Sequence, residues 1–171
     1  MGGPAMLGRR TLLWMLPAVL AGCGFQPLYG DGRGGAGATP EMAQISIPPI
    51  PDRAGQMLRN ELRDRLVPTG LPDKPRWRLD VSFKETKNDL VILRDATATF
   101  AKYVGDAKWV LVDLATEAPV TKGNSRRIAS YSISSSEFAS LQAEEDARRR
   151  VVTGIAEDIR LRLGLFFKRG G

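Results

Sequence analysis

Apolar side chains recur along the chain with two periods, and each period predicts one type of secondary structure. From Arg76 to Glu85 every second residue is apolar, which is the pattern of a strand that buries one face. Alternation of this kind, or enrichment in β-branched and aromatic residues, predicts strands at residues 43–47, 76–85, 97–114 and 120–133. Residues 90–93 form a further short apolar run.

Glycines leave two details of the predicted strands open. The segment 97–114 is either one long strand that bends at Gly105-Asp106 or a hairpin that turns there. In the last strand we expect a bulge at Gly123-Asn124, because glycine inside a strand often marks one.

The first helix is predicted from Ala54 to Val67. Leu58, Leu62 and Leu66 recur there every four residues and so form one apolar stripe. Prolines and glycine follow at once and end the helix.

A second, longer helix is predicted at the end of the chain. Its start offers a capping box of Ser134 and Glu137, with Ser140 as a competing cap. Acids at 144–146 precede arginines at 148–150 by four residues. This spacing favours a solvated face of ion pairs over a phosphate-binding arginine cluster.

The order of these elements predicts an α+β fold. Two helices packed on one face of a mostly antiparallel four-stranded sheet would bury the apolar side of every element. Neither a repeat nor a second domain is indicated, so we expect the folded domain at residues 42–171.

The amino-terminal segment has the features of a lipoprotein export signal. Arg9 and Arg10 precede an apolar run at 11–21 that is shorter than the roughly 20 residues of a membrane-spanning helix. The run ends in the lipobox Leu20, Ala21, Gly22 and Cys23, whose cysteine is the only one in the chain. We therefore predict a cleaved signal at 1–22, with an uncleaved anchor as the alternative, and a lipidated, Gly-rich tether at 23–41.

The amino-acid composition and net charge of the chain argue against several classes of function. The net charge of +6 falls to +4 without residues 1–22, which carry two arginines and no acid, and this excess suits an anionic partner. An exported chain makes nucleic acid an unsuitable partner. Histidine is absent and the cysteine is assigned to lipid, which leaves no ligands or nucleophiles for the common metal and triad sites. We expect no enzyme, no metal and no cofactor beyond the covalent lipid on Cys23.

Several short motifs, in this order and spacing, resemble the alphaproteobacterial form of the lipopolysaccharide-assembly lipoprotein family, LptE. They cover nearly the whole chain and comprise Cys-Gly-Phe-Gln-Pro-Leu-Tyr-Gly at 23–30, Ile-Pro-Asp-Arg at 50–53, Gly-Gln-Met-Leu-Arg-Asn at 55–60, Asp-Ala-Thr-Ala-Thr at 95–99, Ala-Ser-Tyr-Ser at 129–132 and Ala-Glu-Glu-Asp-Ala-Arg at 143–148. The resemblance implies two helices against a four-stranded sheet, in agreement with the element order.

The resemblance also implies a function without catalysis. Such proteins sit on the periplasmic side of the outer membrane, plug the lumen of the β-barrel LptD, assist its assembly and help to insert lipopolysaccharide into the outer leaflet. Binding of lipopolysaccharide through basic side chains of the strands would fall here on Arg126 first, then on Arg127, Lys122 and Lys102, with Lys108 as a further candidate. These cations are equally compatible with an ordinary solvated strand.

Two other functions remain open at the level of sequence. An auxiliary lipoprotein of an ABC-type envelope lipid transport system would also join a lipid anchor to a small domain of this kind. A carboxylate-dependent glycan hydrolase would need two acids that converge in a cleft, and the acids of the predicted strands have no recognisable partners.

Overall fold

The alternating segments form one four-stranded sheet in the computed structural model, which describes residues 40–92 and 99–170. A 3-10 turn at Met42–Gln44 opens the described part of the chain. The elements that follow are β1 (Ile45–Ser46), α1 (Arg53–Leu66), β2 (Trp77–Ile92), β3 (Thr99–Asp113), β4 (Ala118–Ile133) and α2 (Glu137–Lys168).

The strands lie in the sheet in chain order, β1-β2-β3-β4. The two residues of β1 run parallel to β2, whereas β2, β3 and β4 form an antiparallel meander. The prediction of an α+β fold with a mostly antiparallel sheet is therefore confirmed. The predicted signal, lipobox and tether lie before residue 40, outside the described residues.

Both helices pack on the same face of the sheet, as predicted. α1 contacts β2 and α2, and α2 lies across β3 and β4. The core between the layers is formed by aromatic and aliphatic side chains of the sheet and by the apolar stripes of the helices. Its fully buried members include Leu58, Leu62, Leu66, Leu79, Tyr103, Leu111, Ile155, Ile159 and Leu163.

The segment around Gly105 is one continuous strand, and the predicted alternative of a hairpin is wrong. Gly105 pairs with Glu85 on one side and Arg127 on the other. A Cβ atom on Gly105 would stand 2.6 Å from Val151 Cγ1 of α2. The glycine is therefore explained by the close approach of the helix and not by a turn.

The end of one strand and the position of one bulge also differ from the sequence prediction. The second strand continues to Ile92 instead of ending at Glu85, because β3 is long enough to pair with it throughout. The irregularity in the pairing of β4 lies opposite Leu111 and Val112 and not at Gly123, which pairs regularly with Trp109. A Cβ on Gly123 would stand 2.5 Å from the Trp109 ring, so this glycine makes room for an indole.

The start of α2 also differs in detail. Ser136 is the N-cap, and its hydroxyl accepts a hydrogen bond from the backbone N–H of Ala139 at 3.4 Å. Ser140 is hydrogen-bonded to the backbone of Ser134 instead. Its hydroxyl accepts a hydrogen bond from the Ser134 N–H and donates one to the Ser134 carbonyl oxygen. The expected capping box of Ser134 and Glu137 is thus replaced by a single serine cap.

Candidate anion-binding face of the sheet

One face of the sheet is covered by the helices, and the other face is open and basic. Directly paired residues of antiparallel strands project to the same side. Asp106 pairs with Lys84 on β2 and with Arg126 on β4, so all three project away from the helix that Gly105 faces. By the same register, the cations of the open face are Arg78, Lys84, Lys102, Lys108, Lys122 and Arg126.

Two acids share this face and are already paired. The Arg78 guanidinium lies 3.1 Å from the Asp80 carboxylate, and Arg126 Nε lies 3.6 Å from Asp106 Oδ1. The four lysines of the face are exposed, and within the described ranges no carboxylate oxygen lies within 4.0 Å of their ammonium groups. The open face therefore carries an excess of cations that are free to meet an anion.

Apolar side chains interrupt the basic surface. Ile128, directly beyond Arg126 on the same side of β4, is 55% exposed, and Phe100 at the far end of β3 is 36% exposed. A face that combines lysines with exposed apolar groups suits a ligand that has both phosphates and hydrocarbon.

The structure separates the predicted contact residues into two groups. Lys102, Lys122 and Arg126 share the open face, as does Lys108. Arg127 lies on the opposite side of β4, where its methylene stem stands 3.3 Å from the position of a Cβ on Gly154 of α2. Cys23 and the lipobox residues are outside the described part of the chain, so the lipidation site stays a prediction.

Lys84 and Arg78 belong to the open face but were not predicted as contacts. The alternation of β2 shows in the sequence that they lie on its polar side. It does not show that this side joins the basic residues of β4, because only the register across β3 brings them together.

The covered face holds a second polar cluster, which serves the packing of the domain. Arg148 of α2 reaches down to the sheet, where its Nε donates a hydrogen bond to Tyr103 Oη at 3.2 Å. The Tyr103 hydroxyl in turn donates to Glu85, and Arg148 also pairs with Glu144 at 3.1 Å and with Glu145. Burial and the hydrogen bond to Glu85 raise the pKa of Tyr103 well above its usual range. The polar groups of the cluster contact one another and connect α2 to β2 and β3.

This domain matches a known family. A sequence model described as LptE, lipopolysaccharide-assembly, matches residues 42–163, which is more than half of the chain. The chain belongs to the LptE family.

Solved structures support the same fold for this LptE-family domain. A protein described as a lipoprotein from Caulobacter crescentus CB15 is similar with a TM-score of 0.64 at 22% identity, over 77% of this chain and 95% of that one. A minor lipoprotein from Acinetobacter baumannii has a TM-score of 0.56 at 16% identity, over 71% and 90% of the two chains. Lipoprotein B from Nitrosomonas europaea has a TM-score of 0.50 at 17% identity, over 74% and 83%. Comparison with curated protein sequences gives no significant match.

Two properties of the described residues bear on membranes and metals. No helix within residues 40–92 and 99–170 combines the length and apolar character needed to span a bilayer. In the same part of the chain, no group of acids or other ligand residues is arranged to hold a metal ion.

Proposed function

We propose that this LptE-family protein is an outer-membrane lipoprotein, anchored on the periplasmic side through lipid on Cys23. In this proposal it plugs an LptD-type β-barrel, assists the assembly of that barrel and presents the open face of its sheet to lipopolysaccharide. The family match supports lipopolysaccharide assembly as the process. The observation that supports the finer role is the set of four unpaired lysines across β2, β3 and β4.

The spacing of these cations suits a glycolipid with several phosphates. Neighbouring strands are about 4.8 Å apart, and alternate residues along a strand are roughly 7 Å apart. Lys102, Lys108, Lys122 and Arg126 therefore offer charges at several separations on one surface. Lysine binds phosphate as a flexible point charge, and the exposed Ile128 can meet the start of an acyl chain.

The outer surface of the helices suits a polar lumen. The interior of an outer-membrane barrel is polar, in contrast to its lipid-facing side. Ion pairs such as Asp146–Arg150 and Asp158–Arg162 cover α2 and are partly exposed. The exposed charged groups of these pairs can meet polar side chains of the lumen.

The partner is tested by a detergent pull-down of the chain tagged after Gly171, followed by mass spectrometry. We expect a large outer-membrane β-barrel in a stoichiometric amount. Recovery of an ATPase and a permease instead would support the transport-auxiliary function, and recovery of neither would contradict both.

The ligand is tested by measuring the affinity of purified lipopolysaccharide for a variant with Lys102→Gln, Lys122→Gln and Arg126→Gln. At about 0.5 kcal/mol or more per exposed cation, we expect a loss of roughly tenfold or more, and a weaker dependence on salt. The matched control removes three cations from the helices, through Arg53→Gln, Arg149→Gln and Arg150→Gln. Equal losses in both variants would show that net charge, and not the open face, determines binding.

A further inference from the structure

The carboxyl-terminal end of α2 carries a basic apolar surface that the open face does not include. Leu161 and Leu165 lie four residues apart on one side of the helix and are 47% and 55% exposed. Cations flank them on the same part of the helix. We define the α2 terminal patch as Leu161, Arg162, Leu165, Lys168 and Arg169.

A groove adjoins this patch. It has a volume of about 370 Å³ and lies between the end of α2 and β4, with Thr121, Arg162, Leu165, Phe166, Arg169 and Gly170 as its lining. Its lining thus combines the apolar side chains of Leu165 and Phe166 with two guanidinium groups. A groove of this composition suits a ligand that has both a phosphate and hydrocarbon.

The charges of the patch are only partly compensated by acids of α2. Arg162 Nε donates to Asp158 at 3.0 Å, and Glu157 is paired with Arg160 at 2.7 Å. The hydrogen bond from Arg160 lowers the pKa of Glu157, so this carboxylate stays ionised and engaged. Within the described ranges, no carboxylate oxygen lies within 4.0 Å of the charged groups of Lys168 and Arg169.

The start of the domain lies against the same end of α2. Met42 is fully buried, and its Cε stands 3.1 Å from the position of a Cβ on Gly164, which is next to Leu165 in the sequence. Met42 comes 19 positions after Cys23. For the Gly-rich tether predicted from the sequence, a random coil of that length would have a root-mean-square span of roughly 25 Å. A lipid on Cys23, as predicted, would then hold the start of the domain within reach of the bilayer surface.

We propose that the α2 terminal patch is a peripheral membrane-contact surface that binds the headgroup layer of anionic phospholipids. Leu161 and Leu165 enter the boundary between headgroups and acyl chains, and Arg162, Lys168 and Arg169 contact the phosphates. Basic amphipathic helices bind membrane surfaces in this way. The contact belongs to the domain at the membrane surface outside a barrel, and it does not depend on the proposed role in lipopolysaccharide insertion.

The proposal is tested by vesicle co-sedimentation of residues 31–171, which form one compact unit, contain every buried core residue of the described ranges and lack both the amino-terminal apolar run and Cys23. The vesicles are phosphatidylcholine with or without phosphatidylglycerol. We expect partition into the anionic vesicles only. Because each cation near an anionic surface contributes about 1 kcal/mol, Lys168→Gln with Arg169→Gln should lower the partition coefficient roughly thirtyfold.

The leucines are tested by the variant with Leu161→Ser and Leu165→Ser, which should also abolish sedimentation with vesicles. The matched control is Phe138→Ser with Leu141→Ser, which changes two residues at the other end of α2 that are 72% and 56% exposed. Melting curves confirm that each variant is folded.

Three outcomes would overturn the proposal: no partition of the unaltered domain, equal losses in the patch and control variants, or a dimer in solution that the leucine substitutions dissolve. The last outcome would assign the patch to a second copy of the chain. None of these results bears on the lipopolysaccharide affinity of the open face, so the two proposals fail separately.

Discussion

Arg148 and Arg150 are separated by one residue on α2 and have the same charge, but their surroundings differ. The Arg148 side chain is 11% exposed and contacts two helical acids and the buried Tyr103. Arg150 is 54% exposed and pairs with Asp146 on the surface. The contribution of an arginine on α2 to the stability of the domain therefore depends on whether its side chain contacts the sheet.

We expect Arg148→Met to lower the free energy of unfolding by about 2 kcal/mol, because it removes the charged hydrogen bond to Tyr103 and the cation beside Glu85. Glu144 and Glu145 keep Lys87 and Arg53 as partners. Arg150→Met should lower it by less than about 1 kcal/mol, since exposed ion pairs contribute little. Urea denaturation of both variants measures the difference. Equal losses would mean that the cluster around Tyr103 adds no stability of its own.

The raised pKa of Tyr103 predicts a sensitivity to alkali. The fold favours the neutral phenol because burial and the Glu85 hydrogen bond oppose ionisation. In the unfolded chain tyrosine ionises near its ordinary pKa of about 10. This contribution to stability is therefore complete below pH 10 and is lost progressively as the pH rises above it.

We expect Tyr103→Phe to be less stable than the unaltered domain at pH 8 and to lose less stability between pH 10 and 11. The difference between the two should shrink by up to about 1.4 kcal/mol per pH unit. Denaturation at a series of pH values measures it, and lysine ionisation cancels in the comparison. A constant difference across the series would contradict the prediction.

At the scale of elements, Gly105 on β3 and Gly154 on α2 differ in whether the contact between α2 and the sheet leaves room for a side chain. A Cβ on Gly105 would stand 3.0 Å from the Phe83 ring and 3.1 Å from Ile155 Cδ1, in addition to the closer contact with Val151. The nearest atoms to a Cβ on Gly154 of α2 belong to the flexible stem of Arg127. Only the first position is closed to a side chain.

We expect Gly105→Ala to lower stability by about 1–3 kcal/mol, since it overpacks the interface of helix and sheet. Gly154→Ala is the control and should be neutral or stabilising by up to about 1 kcal/mol, because alanine favours the helix. Thermal unfolding of both variants compares them. A tolerated Gly105→Ala would show that α2 can move away from β3.

Periodicity predicted the helices and strands because each of them buries a single face. The resulting pattern of apolar residues is visible within each short segment of sequence. The leucine stripe of α1 and the alternation of β2 are examples. Features that depend on two distant segments were not predictable. The need for glycine at position 105 depends on the approach of Val151. Which of the neighbouring serines caps α2 depends on the local backbone geometry at the start of the helix. The hydrogen bond of Arg148 depends on the position of Tyr103 in the sheet.

At the scale of the whole molecule, cations on the helix side and cations on the open face of the sheet differ in how many are paired with acids. Cations on the helix side are largely held in pairs such as Glu144–Arg148, whereas the lysines of the open sheet face are not. The candidate contacts Lys102, Lys122 and Arg126 could be chosen from the sequence because the family resemblance implies basic strand residues and these three lie on predicted strands. Arg127 could not be separated from them without knowing which side of β4 the helices cover.

The contact between Met42 and the last turns of α2 joins the two ends of the described core. Met42, Ile45 and Leu163 belong to the same buried cluster, so no shorter amino-terminal fragment can complete it. During synthesis the meander of β2, β3 and β4 emerges before the helix that covers it. The buried core therefore stays incomplete until the final helix has been made.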